Sequence, residues 1–411
     1  MRRSILLAVA TTATLALAAC SSGGDAETDA AAEGSDSPSA AAGATLTVWT
    51  DETRKAAVTE AAAAFEEATD TTVEIVQKNY DDIRPDFLAQ VPTGKGPDVT
   101  VGAHDWLGEL TTNGVVEPLE LGDKAAGFEP VSIQAFTQDG QVYGLPYAIE
   151  NIALIRNADL ADQAPATWDD AVAAGEAAGA EYPVLLQTGA EGDPYTYYPL
   201  QTSFGAPVFT QNADGSYEPE LALGGDGGHA FAEWLAAQGE AGVLSPDVTY
   251  DIAVDAFKNG KSPFIVGGPW MLEQFEGMNL AIDPIPSAGG EPARPFVGVQ
   301  GFFVSAQSQN KLLANDFVVN YLSTEEAQTA LFEAGGRPPA LTAAAEKAAS
   351  DPVVAGFQTV GAEAVPMPSI PEMGSVWAFW GVTEAAILTG QQEPVAAWDK
   401  MVADIQGAID G

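Results

Sequence analysis

Basic residues are scarce in this chain of 411 residues, which has 16 Lys and Arg against 58 Asp and Glu and a formal net charge of −42. Affinity for nucleic acids and for anionic lipid surfaces comes mainly from Lys and Arg that neutralise negative charge. The charge balance therefore argues against nucleic acid and against a charged membrane surface as partners. With 46% hydrophobic residues, the chain still has enough apolar side chains to fill the cores of two or three domains.

Metal-ligating and nucleophilic residues are few as well. Cys20 is the only cysteine, so the folded body can form no internal disulfide, and the two histidines, His104 and His229, are far apart in the chain. A zinc site would need more ligands of this kind. Residues 210–221 resemble a calcium-binding loop only in part, because the first and twelfth positions lack the required oxygen ligands, and a plain hairpin turn is favoured there. No nucleophile elbow, P-loop or dinucleotide fingerprint stands where one should, so we expect no metal and no cofactor.

The N-terminus has the pattern of an export signal. Basic residues in positions 1–3 precede an apolar run at 5–19, which is too short to span a bilayer comfortably. Residues 17–20 resemble a bacterial lipobox, in which the cysteine is lipidated and becomes the first residue after cleavage. We therefore predict a signal peptide over 1–19 and an exported protein, held on the outer face of the cytoplasmic membrane by a lipid on Cys20.

A polar segment follows the predicted cleavage site. Residues 20–44 are rich in Ser, Gly, Ala and acids and contain no basic or aromatic residue. Such a segment cannot bury enough apolar area to offset the entropy of ordering. We predict a disordered acidic linker over 20–44.

The body opens with alternating strand and helix patterns. The predicted elements are strands at 45–49, 72–76 and 98–101 and helices at 56–69 and 83–91. A βαβαβ order is typical of a parallel sheet covered on both faces, with a ligand crevice beyond the carboxyl ends of its strands. His104 and Asp105 come directly after the third strand, so we expect them at such an end.

A second α/β set is predicted from about residue 149. Its elements are strands at 149–155, 184–187, 263–266 and 296–305, a hairpin within 208–223, and helices at 167–179, 228–238 and 252–259. From residue 311 onward nearly all of the chain has helical patterns, which end in an amphipathic helix at 395–409. The whole pattern predicts the α/β class.

Aromatic residues and acids supply the candidate site residues. The aromatics are Tyr195, Tyr197, Tyr198, Trp270, Trp377 and Trp380. Taken alone, each is more often a core residue than a ligand contact. However, Pro269 suits the first position of a helix directly after the strand 263–266, which places Trp270 at that strand's carboxyl end. The apolar faces of a pyranose can pack flat on such rings, and carboxylates at Glu150 and Asp193 could bind sugar hydroxyls with about 1.5–3 kcal/mol per charge-assisted hydrogen bond.

Seven short motifs carry a resemblance to a known family. They are Gly96-Pro97-Asp98, Ala103-His104-Asp105, Leu145-Pro146-Tyr147-Ala148-Ile149-Glu150, Asp193-Pro194-Tyr195, Gly268-Pro269-Trp270, Arg294-Pro295-Phe296-Val297-Gly298-Val299 and Met367-Pro368-Ser369-Ile370-Pro371-Glu372-Met373. In this order and spacing they resemble the maltose and maltodextrin-binding protein family, the lipoprotein or periplasmic receptors of sugar ABC importers. The resemblance extends from about Leu46 to the C-terminal helix.

The resemblance implies a two-lobe periplasmic-binding-protein-like fold of the α/β class. Each lobe would be a mainly parallel sheet flanked by helices. The implied N-terminal lobe is 45–148 plus 298–348, and the implied C-terminal lobe is 149–297 plus 349–411. The hinge segments would lie near 148–151, 296–300 and 347–352.

The resemblance also implies roles for individual residues. Asp105, Glu150 and Asp193 would accept hydrogen bonds from sugar hydroxyls, and Tyr195, Trp270 and Trp377 would be stacking platforms. This chain departs from the family pattern at several positions. Gly102 stands where a stacking Trp is usual and Trp106 where Arg is usual, so Trp106 is a candidate source of the missing ring. Asp193 is one methylene shorter than the usual Glu, and Arg54 is the best candidate for the basic residue expected after the first strand.

These implications favour a non-enzymatic, monomeric receptor that captures maltose-like or maltodextrin-like sugars by hinge closure and delivers them to ABC importer permease subunits. Neutral α-glucosides are the expected ligands, because the proposed site offers acids and rings but few cations. A secreted glycoside hydrolase acting on α-glucans would also combine aromatic platforms with two carboxylates. A receptor for a different neutral oligosaccharide would share the same site chemistry. A ferric-iron receptor could use Tyr197 and Tyr198 as oxygen ligands, but this hypothesis leaves the tryptophans unexplained.

Overall fold

The computed structural model of the chain describes residues 43–212 and 216–411. The predicted signal peptide, the lipidation site Cys20 and nearly all of the predicted linker lie outside the described residues, as does the tip of the predicted hairpin at 213–215. Within the described part, no helix is both long enough and apolar enough to cross a membrane.

Strands and helices alternate through most of the described chain. The strands are β1 Thr45–Thr50, β2 Thr72–Gln77, β3 Val99–Ala103, β4 Thr137–Gln138, β5 Gln141–Val142, β6 Gly144–Asn151, β7 Ala153–Asn157, β8 Phe209–Gln211, β9 Tyr217–Leu221, β10 Phe264–Gly267, β11 Leu280–Asp283, β12 Phe296–Val304 and β13 Val365–Pro366. The α-helices are α1 Lys55–Thr69, α2 Tyr80–Gln90, α3 Leu107–Thr112, α4 Pro130–Ala135, α5 Trp168–Ala177, α6 Pro194–Thr202, α7 Gly225–Glu240, α8 Tyr250–Lys258, α9 Lys311–Asn315, α10 Glu325–Gly335, α11 Thr342–Ala348, α12 Pro352–Gly361, α13 Met373–Leu388 and α14 Pro394–Asp410.

The larger sheet has six strands in the order β13-β12-β3-β1-β2, with β6 also paired to β12. β1 runs parallel to β2 and β3, which confirms the predicted βαβαβ opening. β12 runs antiparallel to both β3 and β6. Leu46 and Val48 of β1 and Val99 of β3 are buried in one core cluster with Val58 and Phe65, which lie on the apolar stripe of α1. This burial holds the helix against the sheet.

The smaller sheet has three strands, with β7 between β10 and β11. β7 is antiparallel to both neighbours, so the prediction of a mainly parallel sheet in each lobe was wrong for this sheet, while the α/β class is confirmed. Only Ile152 separates β7 from β6. The strand therefore enters the smaller sheet as a continuation of the larger one, and this crossing, rather than a preceding helix, fixes its direction. The predicted strand at 184–187 forms only a single parallel bridge, between Leu185 and Ile265.

Two of the three predicted hinge segments run side by side. Residues 148–151 of β6 pair with residues 297–300 of β12, and Gly298 lies opposite Glu150. The third predicted segment, 347–352, joins the end of α11 to the start of α12. The lobe boundaries drawn through these segments stay a prediction.

Candidate functional site

Polar and aromatic side chains collect where the three parallel strands of the larger sheet end. β1 is followed by Asp51 and Arg54, β2 by Tyr80, and β3 by Asp105 and Trp106. The carboxyl ends of parallel strands meet at one edge of a sheet, which brings these residues together. The Arg54 guanidinium carbon lies 5.0 Å from the ring centre of Tyr80, and the Tyr80 and Trp106 ring centres are 5.4 Å apart.

Asp105 is a buried carboxylate with one acceptor oxygen to spare. The residue is 7% exposed, and its Oδ2 accepts a hydrogen bond from Nε1 of Trp377 at 3.2 Å. Its Oδ1 is also buried and has no hydrogen-bond partner within the described residues. Burial raises the pKa of Asp105 to about 6, although the Arg84 charge and the Trp377 hydrogen bond act in the opposite direction. Because a buried acceptor without a donor costs free energy, Oδ1 is poised to accept a hydrogen from a bound molecule.

Aromatic rings reach the site from the part of the chain around the smaller sheet. Pro269 begins a 3₁₀-helix directly after β10, as predicted, and places Trp270 at the end of that strand. The ring centres of Trp270 and Tyr195 are 6.4 Å apart. Trp377 lies in α13, and its hydrogen bond to Asp105 links this helix to the end of β3.

Asp193 caps the N-terminus of α6. Its Oδ1 accepts a hydrogen bond from the backbone N–H of Thr196 at 3.1 Å, and its Oδ2 accepts from the Thr196 hydroxyl at 2.8 Å and from the amide of Gln187. Burial raises the pKa of Asp193, and these hydrogen bonds oppose that rise. Asp193 thereby anchors the turn that presents Tyr195, and its contact with a sugar stays a prediction.

Glu150 has a buried ionic partner that the sequence analysis missed. Arg337 Nε lies 2.5 Å from Oε1 of Glu150, and both side chains are 3% exposed. The two terminal nitrogens of Arg337 donate to the backbone oxygen of Thr53 at 3.0 Å and to its hydroxyl at 2.8 Å. Arg337 thus ties the crossing strand β6 to the loop after β1. Replacing one partner of such a pair would leave an uncompensated buried charge.

Arg54 lies where the sequence predicts a basic residue, but its charge already has a partner. Its Nη1 lies 2.5 Å from Oδ2 of Asp51, and its Nε donates to the Tyr147 hydroxyl at 3.0 Å. Burial alone would raise the pKa of Asp51, but the Arg54 charge and the hydrogen bonds from Thr53 and Arg54 outweigh it and hold that pKa at about 2. Arg54 therefore balances Asp51 and orients Tyr147.

Trp106 fills the space beside Gly102. A Cβ built on Gly102 would lie 2.3 Å from Cζ3 of Trp106, which is far inside contact distance. Trp106 is buried and packs against Tyr80. An aromatic ring thus covers position 102 from position 106, as the sequence suggested, and stacking of a sugar on that ring stays a prediction.

A cleft of about 420 Å³ opens beside these residues. Its walls come from the loop after β1, including Glu52, and from α8 and the 3₁₀-helix, including Tyr250 and Trp270. Trp270 is the only predicted site residue among its lining residues, so the cleft adjoins the group around Asp105 rather than enclosing it. We place the candidate site at that group, because buried carboxylates and rings supply the directional contacts that a specific ligand needs.

Contacts join several of the eight predicted site residues: Asp105 with Trp377, Tyr195 with Trp270, and Arg54 with Trp106 through Tyr80. Burial raises the pKa of Tyr195, and the charges of Glu150, Asp193 and Asp105, with Tyr80, raise it further. The eight residues are Arg54, Asp105, Trp106, Glu150, Asp193, Tyr195, Trp270 and Trp377. Among the described residues, no three His, Cys, Asp or Glu side chains are grouped so that they could hold a metal ion.

The chain is similar in sequence and in fold to several known proteins. The sequence model for bacterial extracellular solute-binding proteins matches residues 60–356. A galactooligosaccharide-binding protein of Bacillus subtilis is 29% identical over 392 residues, which cover 89% of this chain and 90% of the relative. A maltooligosaccharide ABC transporter solute-binding lipoprotein of Streptococcus pneumoniae is 27% identical over 395 residues, 92% of this chain and 90% of the relative. The solved structure of a Thermus thermophilus maltotriose-binding protein with maltotriose superposes with a TM-score of 0.79 at 33% identity, covering 89% of this chain and all of that one.

Proposed function

Because the chain belongs to the bacterial extracellular solute-binding protein family, we propose that it captures maltose-like or maltodextrin-like sugars and delivers them to an ABC importer. One observation carries this proposal. The buried carboxylate of Asp105 has an acceptor oxygen free of any partner in the described chain, and its other oxygen accepts a hydrogen bond from Trp377. The comparisons support the ligand class, since the relatives named above bind oligosaccharides according to their names.

The chemistry of these groups suits a sugar. Sugar hydroxyls donate to carboxylates, and Asp105 Oδ1 is a buried acceptor that such a donor would satisfy. The flat apolar face of a pyranose packs on aromatic rings, which Trp270 and Tyr195 offer at one side of the site. Nothing in this binding requires a bond to be made or broken, so we expect the sugar to leave unchanged.

The proposed ligand-binding residues come from two different sheets, which would allow the protein to close around a ligand. Asp105 comes from the end of β3 in the larger sheet, whereas Trp270 follows β10 in the smaller sheet. A ligand that contacts residues from both sheets binds best when the two sheets approach each other. Its binding then shifts the equilibrium from the open form towards the closed form. The segments 148–151 and 296–300, which pair across the crossing, are the hinges of this proposal.

The charges at the site favour a neutral ligand. Asp105, Glu150 and Asp193 are acidic, and the nearby cations Arg54 and Arg337 already face Asp51 and Glu150. Two like charges at 4 Å cost about 1 kcal/mol in water and about 4 kcal/mol at an effective dielectric constant of 20. Within the described chain, Asp105 and Asp193 have no such cationic partner, so an anionic sugar would meet their repulsion and should fail to bind.

A panel of ligands tests the proposed function. Maltotriose should raise the melting temperature of the purified protein without release of glucose, and glucuronate and glucose phosphate should leave it unchanged. A galactooligosaccharide belongs in the panel, because the B. subtilis relative is named for that sugar. If the galactooligosaccharide raises the melting temperature more than maltotriose does, the ligand is a different neutral oligosaccharide. Release of glucose would show a glycoside hydrolase instead of a receptor. A rise with ferric citrate alone would overturn the proposed sugar-binding function.

We further propose that a lipid on Cys20 holds the protein at the outer face of the cytoplasmic membrane. The lipobox-like residues 17–20 and the name of the streptococcal relative as a lipoprotein support this anchor. We expect C20A to be released into the medium or to keep its signal peptide, as fractionation and mass measurement would show. A C20A protein that is correctly cleaved and still sediments with membranes would mean that another group provides the anchor.

A further inference from the structure

Tyr80 lies among the candidate site residues, although the sequence analysis did not single it out. It is the first residue of α2 and comes shortly after the carboxyl end of β2. The Arg54 guanidinium carbon lies 5.0 Å from the centre of its ring, and the centre of the Trp106 ring lies 5.4 Å from it. Two of the predicted site residues therefore contact Tyr80 directly.

The two neighbours of the Tyr80 ring are themselves fixed in position. Arg54 pairs with Asp51 at 2.5 Å and donates to the Tyr147 hydroxyl at 3.0 Å. Trp106 is buried, and its ring is tilted by 40° relative to that of Tyr80. The Tyr80 ring is therefore held in one orientation before any ligand arrives. A side chain that is ordered in advance loses little conformational entropy when it binds.

The Tyr80 hydroxyl has no hydrogen-bond partner within the described part of the chain, and the residue is only partly buried. Burial raises the pKa of Tyr80, and the charges of Asp105, Asp51 and Glu150 raise it further, whereas the Arg54 charge lowers it. The hydroxyl therefore keeps its hydrogen at neutral pH. It is a hydrogen-bond donor that the fold leaves unused.

The ionised carboxylates of the candidate site can only accept hydrogen bonds. Nε1 of Trp377 donates to Asp105, and Arg54 donates to side chains of the protein as described above, so these donors are engaged. A sugar hydroxyl both donates and accepts, and a glycosidic oxygen only accepts. A sugar held by acids alone would therefore keep oxygens that no protein group had replaced water at.

Tyr80 lies close in the fold to the acceptor that is free for a ligand. Asp105, whose Oδ1 has no partner in the described chain, directly precedes Trp106, and the Trp106 ring contacts Tyr80. One residue thus separates an unused donor from an unused acceptor. Together they supply the two kinds of hydrogen bond that a sugar hydroxyl can form.

We propose that Tyr80 is a further ligand-binding residue, whose hydroxyl donates a hydrogen bond to an oxygen of the bound sugar. The inference rests on the proposed function and adds a determinant of specificity to it. The acids recognise hydroxyl hydrogens, whereas Tyr80 recognises an oxygen that can accept. A ligand without such an oxygen at this point would leave the Tyr80 hydroxyl unpaired and bind more weakly.

The substitution Y80F tests this inference, because it removes the hydroxyl and keeps the ring between Arg54 and Trp106. The matched control is Y143F. Tyr143 is also partly buried, its hydroxyl donates to Gln141 at 3.1 Å, and it lies just before β6, at the opposite end of that strand from the candidate site.

Calorimetry with maltotriose and thermal melting of the free protein are the two measurements. We expect Y80F to bind maltotriose about fivefold more weakly than wild type, as for the loss of one neutral hydrogen bond. The melting temperature of free Y80F should equal that of wild type, because the hydroxyl has no partner in the fold to lose. Y143F should bind maltotriose as wild type does.

The outcomes distinguish this inference from the proposed function. Equal dissociation constants for Y80F and wild type would show that the hydroxyl does not contact the sugar and would overturn the inference alone. A Y80F protein that melts earlier than wild type would show that the hydroxyl serves the fold, which would also overturn it. If wild type binds neither maltotriose nor a galactooligosaccharide, the proposed function fails and the inference fails with it.

Discussion

Replacing Asp105 by asparagine is expected to stabilise the fold and to remove most of the sugar affinity. Burial raises the pKa of this carboxyl to about 6, well above its ordinary value of 3.8. Between these two values the folded protein holds a proton that the unfolded chain releases, so the stability contributed by this group falls as pH rises through the window. Above pH 6 the buried charge costs at most about 3 kcal/mol, a cost that an uncharged amide avoids.

The same substitution should weaken binding, because a charge-assisted hydrogen bond to a sugar hydroxyl is worth about 1.5–3 kcal/mol and the amide oxygen is a weaker acceptor. Thermal melting from pH 4 to 8 and calorimetry with maltotriose measure the two effects. We expect the gain in stability of D105N over wild type to vanish as the pH is lowered towards 4. We also expect wild type to bind maltotriose more weakly at pH values below 6. The exposed acid Asp123 gives a matched control, D123N. A D105N protein that is less stable than wild type at pH 8 would contradict the argument.

Trp270→Ala is expected to weaken sugar binding by about 2 kcal/mol or more, or roughly thirtyfold, as central aromatic anchors do. Trp270 is only partly buried, its ring centre lies 6.4 Å from that of Tyr195, and it also lines the adjoining cleft. Truncation should therefore remove a platform for the ligand and little of the core. Calorimetry of W270A with maltotriose measures the loss.

The control for this substitution is W234A. Trp234 of α7 is also partly buried, but it stacks on Phe231 at 5.8 Å and lies outside the candidate site. We expect W234A to melt earlier and to bind maltotriose as wild type does. An unchanged dissociation constant in W270A, together with a large drop in melting temperature, would show that Trp270 is a core residue.

The sequence predicted those features that have local signals. The opening βαβαβ unit follows from short-range periodicity, and the position of Asp105 follows from its place directly after a strand. Pro269 likewise predicted the turn that presents Trp270. In each case the residues that determine the feature lie within a few positions of it, so one sequence is sufficient.

Features that depend on distant parts of the chain were not predicted. Arg337 follows α10, which packs against α1, so its contact with Glu150 depends on parts of the chain that are distant in sequence, and no motif marks the pair. The direction of β7 in the smaller sheet depends on its continuation from β6. The hydrophobic periodicity of the sequence does not show whether a strand continues another strand or follows a helix. Tyr80 begins α2 three residues before the predicted start, because helix ends carry weaker signals than helix centres.

The packing of Trp106 over Gly102 couples the evolution of these two positions. An L-amino acid with a side chain at 102 would place its Cβ 2.3 Å from the Trp106 ring, and that ring is held in place by Tyr80. If an aromatic ring is transferred between positions 102 and 106 by one substitution at a time, the intermediate must have a small residue at both positions. That intermediate would lack the ring. The order of substitutions is constrained, and a library that varies position 102 alone should yield almost only glycine among its folded, binding members.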